Sequence, residues 1–131
     1  MAGAKKFLDN VPVGRIFLWT HNPRHPPLEN ESKVIAQLCA KEDVYPLARD
    51  IAKHGLNPLE RFGVVPVDKK KSGHAGPNYY ANEGNRRLCA VKLLHDRELA
   101  PPNLRKAFQK LADDEATVMI NTVSVVAFDD E

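Results

Sequence analysis

The sequence has little cysteine and no long apolar run. It contains two cysteines, Cys39 and Cys89, which are too few for a disulfide framework. Each lies in an apolar helical pattern, so we expect two buried thiols in a reducing, cytoplasmic setting. No apolar stretch approaches the ~20 residues of a membrane span, and residues 1–10 lack the apolar segment of a signal peptide. We therefore expect a soluble protein with no membrane role.

Familiar catalytic motifs are also missing. No Ser/His/Asp triad can be recognised in the sequence, and Gly84 is not followed by the G-K-[ST] of a Walker loop. His21 and His25 have a spacing that would place both rings on one face of a helix. Pro23 and Pro26 make that helix implausible, and no cysteine or acid lies nearby at ligand spacing, so we expect no zinc site there. No catalytic residue is assigned.

The composition does favour a folded domain with one core. Of the 131 residues, 43% are hydrophobic and 27% are charged, which is typical of a single globular domain. Four β-prone runs, near Val13, Val65, Tyr80 and Val125, alternate with helical stripes. This alternation predicts an α/β (α+β) fold in which helices pack on a small mixed sheet.

Local patterns predict the order of the elements. Residues 11–18 are expected to form a first strand, with Pro12 placing its start at a sheet edge. Two helices follow, the second with Asp43 as N-cap and Gly55 as a left-handed C-cap. A strand over residues 62–67, a helix over 104–112 and a β-prone run over 117–128 complete the prediction.

The stretch best suited to bind a ligand is residues 79–94. A short aromatic strand meets Gly84, which supplies a sharp turn, and an amphipathic helix then begins with Arg86 and Arg87 in its first turn. The first amides of a helix have no internal partner, and the helix dipole adds roughly half a positive charge there. The expected ligand is therefore a phosphate or a carboxylate.

Basic residues are concentrated around this stretch. Residues 61–92 contain seven Lys or Arg against two acids, whereas residues 113–131 contain six acids and no Lys or Arg. If the basic residues converge, DNA is an expected partner, with Lys69, Lys70 and Lys71 as candidate contacts. The alternative is that these lysines belong to a solvated loop, and both interpretations stay open.

A family resemblance begins at the Gly84 turn. The run Gly84-Asn85-Arg86-Arg87 followed by Leu88-Cys89-Ala90 resembles the glycine-x-x-arginine box of the ParB/sulfiredoxin-like superfamily. The motif order agrees: Asn22-Pro23-Arg24, then a helix ending at Gly55 with Leu56-Asn57-Pro58, then a strand and the box. The resemblance covers roughly residues 11–94. ParB proteins usually carry glutamate directly after the glycine, whereas this chain has Asn85 there and Glu83 before the glycine.

The resemblance implies a nucleotide site. Its phosphate-binding residues would be Gly84, Asn85, Arg86 and Arg87, its pocket would be closed by Asn22 and Arg24, and the base would lie beside Gly55, Leu56, Asn57 and Pro58. Glu83 is the one acid beside the box and would hold Mg²⁺, with a salt bridge to a neighbouring arginine as the alternative. The ligand would be CTP or ATP.

Three functions follow in order of preference. The first is a nucleotide-binding ParB-like domain of a DNA-associated protein, in which any NTP hydrolysis is slow and metal-dependent. The second is a ParB-like nuclease or DNA-binding domain, since some relatives are nucleases and the basic segment suits a phosphate backbone. The third is a non-catalytic interaction domain. A homodimer stays open, and the family layout has further helices downstream, so we expect the front part of a longer protein.

Sulfiredoxins carry their reactive cysteine at the position of Asn85. Because an amide cannot attack a phosphorylated sulfinic acid, we predict that the purified protein does not repair hyperoxidised peroxiredoxin. The assay incubates hyperoxidised peroxiredoxin with the protein, ATP and a thiol reductant and follows the peroxiredoxin by mass spectrometry. Repair above the level of a protein-free control would contradict this prediction.

Overall fold

Five strands form one mixed sheet in the computed structural model, which describes residues 5–18, 27–57, 59–67 and 78–128. The strands are β1 (Lys5–Pro12), β2 (Ile16–Leu18), β3 (Phe62–Pro66), β4 (Tyr79–Glu83) and β5 (Thr122–Phe128). Their order across the sheet is β1-β5-β3-β4-β2. The pairs β1/β5 and β3/β4 are antiparallel, whereas β3/β5 and β2/β4 are parallel. The predicted α+β fold with a mixed sheet is confirmed.

The residues that the structure describes include four α-helices. They are α1 (Pro27–Lys41), α2 (Val44–His54), α3 (Asn85–His95) and α4 (Arg105–Asp113). Helix α3 contacts the other three helices as well as β2 and β4. Every residue from Leu88 to Leu94 is buried, so α3 is a central helix enclosed on all sides beyond its first turn. The sequence had indicated an amphipathic helix, because the stripe of Leu88, Val91 and Leu94 does not reveal that the opposite face is covered too.

The predicted first strand over residues 11–18 is wrong as a single element. A 3-10 turn at Val13–Arg15 divides it, so Val13 lies in the turn and not in the sheet. Strand β1 begins at Lys5, and Pro12 stands at its end rather than its start. The interruption is expected because Pro12 has no N–H to continue the ladder. β1 is nevertheless an edge strand, as the proline predicted.

The predicted helix boundaries hold only in part. Gly55 ends α2 as predicted, with a φ of 75°, and its N–H donates to Ile51 O at 2.7 Å, but its ψ of −172° places it outside the left-handed helical region that was predicted. Asp43 is not a side-chain N-cap, because its own backbone is left-handed and its carboxylate makes no cap hydrogen bond. The last strand begins at Thr122 and not before, since the preceding segment bonds elsewhere: Val118 N donates to Ala52 O at 2.7 Å.

A buried ion pair joins α1, α3 and β2. The ammonium of Lys92 lies 3.1 Å from Glu31 Oε2, and the two side chains are only 8% and 5% exposed. The same carboxylate oxygen accepts a hydrogen bond of 3.0 Å from the backbone N–H of Leu18. Lys92 Nζ also lies 5.2 Å from the centre of the Phe17 ring. Each charge is therefore compensated, which is the condition for tolerating it in the core.

We predict that Lys92→Met destabilises the protein by about 3–5 kcal/mol, because it leaves the Glu31 carboxylate buried without its cation. Urea unfolding followed by circular dichroism gives the free energy of unfolding. The control is Arg97→Met, which breaks the exposed contact of Arg97 with Glu98 at 4.0 Å and should cost less than about 1 kcal/mol. The double variant Glu31→Gln/Lys92→Met should recover much of the loss, since the amide oxygen still accepts from Leu18 N. Equal costs for the two single variants would contradict the prediction.

Candidate functional site

The Gly84 turn sets the direction of α3. Gly84 has φ 89° and ψ 22°, a left-handed conformation that side chains other than glycine resist. A Cβ atom built there would lie 2.7 Å from Phe62 Cδ1 and 3.0 Å from Arg87 Nη2, so space as well as backbone conformation requires glycine. The first intrahelical hydrogen bond runs from Leu88 N to Gly84 O at 2.9 Å. The predicted sequence of strand, glycine turn and helix start is thus present.

Arg87 lies against an aromatic ring beside this turn. Its guanidinium carbon is 4.7 Å from the centre of the Phe62 ring, and Phe62 itself is 1% exposed. The cation–π contact holds a half-buried arginine in one place, so less side-chain entropy would be lost when it binds an anion. No sequence signal indicated Phe62, because the contact depends on β3 pairing with β4.

Arg87 also lines a cleft with the end of α2, which we call the Arg87 cleft. It has a volume of about 400 Å³, and its lining includes Gly55, Leu56 and Asn57. The remaining lining residues are Leu47, Asp50, Ile51, His54 and Glu60. The structure therefore brings together Arg87 and three of the four residues predicted to lie beside the base. The fourth, Pro58, lies outside the described residues.

The Arg87 cleft offers several kinds of contact. Arg87 supplies a permanent cation, Asp50 and Glu60 supply carboxylates, and leucine and isoleucine side chains supply apolar surface. His54 Nε2 lies 4.0 Å from Asp50 Oδ1 with both side chains well exposed, so that contact is weak. The loop is held by Asn57, whose Oδ1 accepts from Leu59 N at 2.9 Å. Such a mixture suits a ligand that is anionic at one end and hydroxylated or apolar at the other.

Arg86 points away from the Arg87 cleft. Its Nε donates to Glu42 O and its Nη2 donates to Asp43 O at 3.2 Å, so it ties α3 to the link between α1 and α2. Asn85 Nδ2 donates to Ala81 O at 2.9 Å. Asn85 also lines a second cleft, of about 540 Å³, with residues of α1. The four predicted phosphate-binding residues therefore do not converge on one cleft. Of the four, Arg87 alone lines the cleft that also contains Gly55, Leu56 and Asn57.

The basic segment is not one continuous charged surface. Lys92 is buried in its pair with Glu31, and Arg61 Nη2 lies 3.2 Å from Asp9 Oδ1. Arg86 binds backbone carbonyls, as described. Lys69, Lys70 and Lys71, the predicted nucleic-acid contacts, lie outside the described residues, as do Asn22 and Arg24, the predicted pocket closure, and His21 and His25. Of the basic side chains that the structure describes in this segment, Arg87 is therefore the one that we assign to a ligand.

Glu83, the predicted metal ligand, is exposed at the end of β4 and pairs with Gly63 across the sheet. Within residues 5–18, 27–57, 59–67 and 78–128, no group of three or more His, Cys, Asp or Glu side chains could hold a metal ion. A cation at Glu83 would therefore need further ligands from a bound molecule. Mg²⁺ is commonly bound in this way, through one or two carboxylates and substrate phosphates.

No family model, curated protein or solved structure matches the chain. The ParB/sulfiredoxin-like resemblance accordingly stays a prediction from the motifs. Among the helices that the structure describes, none has the length and apolar character needed to cross a membrane.

Alanine substitutions at three glycines distinguish the stability cost of backbone strain from the cost of steric crowding. Gly84→Ala should cost about 2–5 kcal/mol, because it combines a positive φ with the contacts to Phe62 and Arg87. Gly55→Ala, at φ 75° with only an ordinary 3.6 Å contact to Val118, should cost about 1–2 kcal/mol. Gly14→Ala, with nothing within 4 Å, should stay within about 0.5 kcal/mol of the parent. Urea unfolding measures all three, and a Gly84 variant as stable as the Gly14 variant would be inconsistent with the turn described.

Proposed function

We propose that this domain binds a nucleoside triphosphate, CTP or ATP, with its phosphates at the start of α3. The observation that carries the proposal is that Arg87 and the loop of Gly55, Leu56 and Asn57 line one cleft. These two segments are separated by β3 and β4 along the chain, and the family resemblance had assigned them to phosphate and base on sequence order alone. That the two segments line one cleft supports their assignment to phosphate and base, because the amino-acid composition alone does not require them to be close in space.

The phosphate end of the ligand would lie against Arg87 and the first amides of α3. A guanidinium offers several N–H donors in a rigid fork, and the helix start contributes further N–H groups and a partial positive charge. Arg87 is already held over Phe62, so the site is partly organised before the ligand arrives.

The nucleoside end would extend toward the end of α2. Leu56 and Leu47 offer apolar surface to a base, and Asn57 has an amide suited to its polar edge. Asp50 and Glu60 offer carboxylate oxygens that can accept hydrogen bonds from ribose hydroxyls. The cleft volume of about 400 Å³ falls within the range of small-molecule sites.

Mg²⁺ would accompany the nucleotide. Its charge offsets that of the triphosphate, and Glu83, which precedes Gly84 directly, is the carboxylate that could share it with the phosphate oxygens. We assign no general base and no catalytic residue, so hydrolysis, if it occurs, is expected to be slow. The domain would act as a nucleotide-dependent switch of a DNA-associated protein.

We predict that Arg87→Ala weakens nucleotide binding roughly ten- to a hundredfold, because a charge-assisted hydrogen bond contributes about 1.5–3 kcal/mol. Isothermal titration calorimetry with CTP and with ATP, each with and without Mg²⁺, measures the change. Arg49→Ala is the matched control: it removes the same charge from α2, from a residue that lines a different cleft, and should leave affinity unchanged. If Arg87→Ala binds every nucleotide as the parent does, or the parent binds none, the non-catalytic interaction domain becomes the preferred account.

The DNA-binding alternative is tested in parallel with Lys70→Ala. Binding of duplex DNA is measured at two salt concentrations for the parent, Arg87→Ala and Lys70→Ala. A nucleotide switch loses nucleotide affinity with the Arg87 change and little with the Lys70 change. A DNA-binding domain loses salt-sensitive DNA affinity with both changes, since each removes a phosphate contact.

A further inference from the structure

The two cysteines, far apart in sequence, meet between α1 and α3. Cys39 lies on α1 and Cys89 lies on α3, the two helices face each other, and each thiol is the largest influence on the pKa of the other. Cys89 is buried with none of its surface exposed, whereas Cys39 is only partly buried. Cys39 is therefore the more accessible of the two residues. The predicted burial is confirmed for Cys89 and wrong for Cys39, because Cys39 lies toward the exposed side of α1.

Two contacts join α1 and α3 on either side of the cysteines. They are the ion pair of Glu31 with Lys92 and the hydrogen bond from Arg86 to the carbonyl of Glu42. Residue numbers rise along α1 as they fall along α3, so the helices cross in an antiparallel sense. The thiol pair lies between a buried ion pair and an arginine bound to the end of α1. The helices are thus held in place whether or not a covalent bond joins them.

The two thiols are chemically different. The Cys89 S–H donates a hydrogen bond that lowers the pKa of Cys39, against the smaller opposing effect of burial. The same hydrogen bond, together with burial, raises the pKa of Cys89. The thiolate is the nucleophilic form of cysteine, and Cys39 is the more exposed residue of the two. Cys39 is suited to react with an oxidant, and Cys89 is suited to react with Cys39.

We propose that Cys39 and Cys89 are a redox site, in which a peroxide converts the thiol pair into a reversible intramolecular disulfide linking α1 to α3. The proposal is independent of nucleotide binding, because it rests on the contact between the helices and not on the Arg87 cleft. In a reducing compartment, disulfides that form on oxidation and are then reduced again are usually catalytic or redox-sensing ones.

Disulfide formation takes two nucleophilic displacement steps. The Cys39 thiolate attacks one oxygen of hydrogen peroxide, the O–O bond breaks, and the hydroxide that leaves is protonated to water; Cys39 becomes a sulfenic acid. The Cys89 sulfur then attacks Cys39 Sγ, an S–S bond forms as the S–O bond breaks, and the Cys89 proton leaves with hydroxide as a second water. Two thiols are oxidised and one peroxide is reduced. A dithiol such as dithiothreitol reverses the change by thiol–disulfide exchange.

The bond would bring the two sulfurs to the roughly 2.05 Å of a disulfide. Once formed, it would fix α1 to the helix that carries Arg86 and Arg87. Cys89 follows Gly84 within the first two turns of α3, so the disulfide would also restrain the turn on which the first amides depend.

The test treats the reduced full chain with hydrogen peroxide and counts its thiols with a chromogenic disulfide reagent after unfolding. We expect both thiols to be lost together, the intact mass to fall by two hydrogens, and one peptide pair, containing Cys39 and Cys89, to be linked. Dithiothreitol should restore both thiols. These measurements use the parent protein and need no substitution. Retention of both thiols, or a covalent dimer on a non-reducing gel in place of the internal link, would overturn the proposal.

Two variants assign the roles. Cys89→Ala leaves Cys39 without its partner, so peroxide should yield a sulfenic acid that dimedone traps. Cys39→Ser leaves only the buried sulfur, whose oxidation in the folded protein should be at least about tenfold slower than that of the parent pair. If Cys39→Ser reacts as fast as the parent, the assignment of Cys39 as the attacking thiol is wrong. Circular dichroism establishes that each variant is folded before its rate is compared.

Discussion

The left-handed backbone at Gly84 is the constraint on which the rest of this domain depends. It reverses the chain between β4 and α3 within a single residue, in a space that Phe62 and Arg87 leave too small for a Cβ atom. The turn directs α3 into the centre of the fold, where every residue from Leu88 to Leu94 is buried. It also leaves the first turn of α3 at the surface, with Arg87 over the Phe62 ring. The same residue therefore determines both the core and the proposed phosphate site.

The interface between α1 and α3 shows how polar groups can be used inside such a core. Glu31 and Lys92 compensate each other, and the carboxylate also satisfies the Leu18 amide, so three elements meet at one pair of charges. A buried pair of this kind contributes little net stability relative to apolar packing, but it is costly to break, which favours one arrangement of the helices. Cys39 and Cys89 lie within that arrangement, on the two helices that these contacts hold together.

Much of the fold followed from local patterns, whereas the contacts that define the site did not. Alternation of Val123 and Val125 with Ser124 predicted the last strand, and the Gly55 cap ended α2 as expected, because these features are encoded by neighbours in the chain. The division of residues 11–18 was missed because a strand pattern continues across Val13–Arg15. The support of Arg87 by Phe62 and the partnership of Cys39 with Cys89 depend on tertiary pairing. A single sequence has no local signal for either.

The central claim is that a nucleotide binds with its phosphates at the start of α3 and its base toward the end of α2. The most direct measurement is a titration of ¹⁵N-labelled protein with CTP and with ATP in the presence of Mg²⁺, followed by backbone amide NMR spectra. The account predicts that the largest shifts occur at Arg86, Arg87 and Leu88 and, separately, at Gly55, Leu56 and Asn57. Saturating nucleotide that shifts none of these amides, or shifts only residues outside both segments, would contradict it.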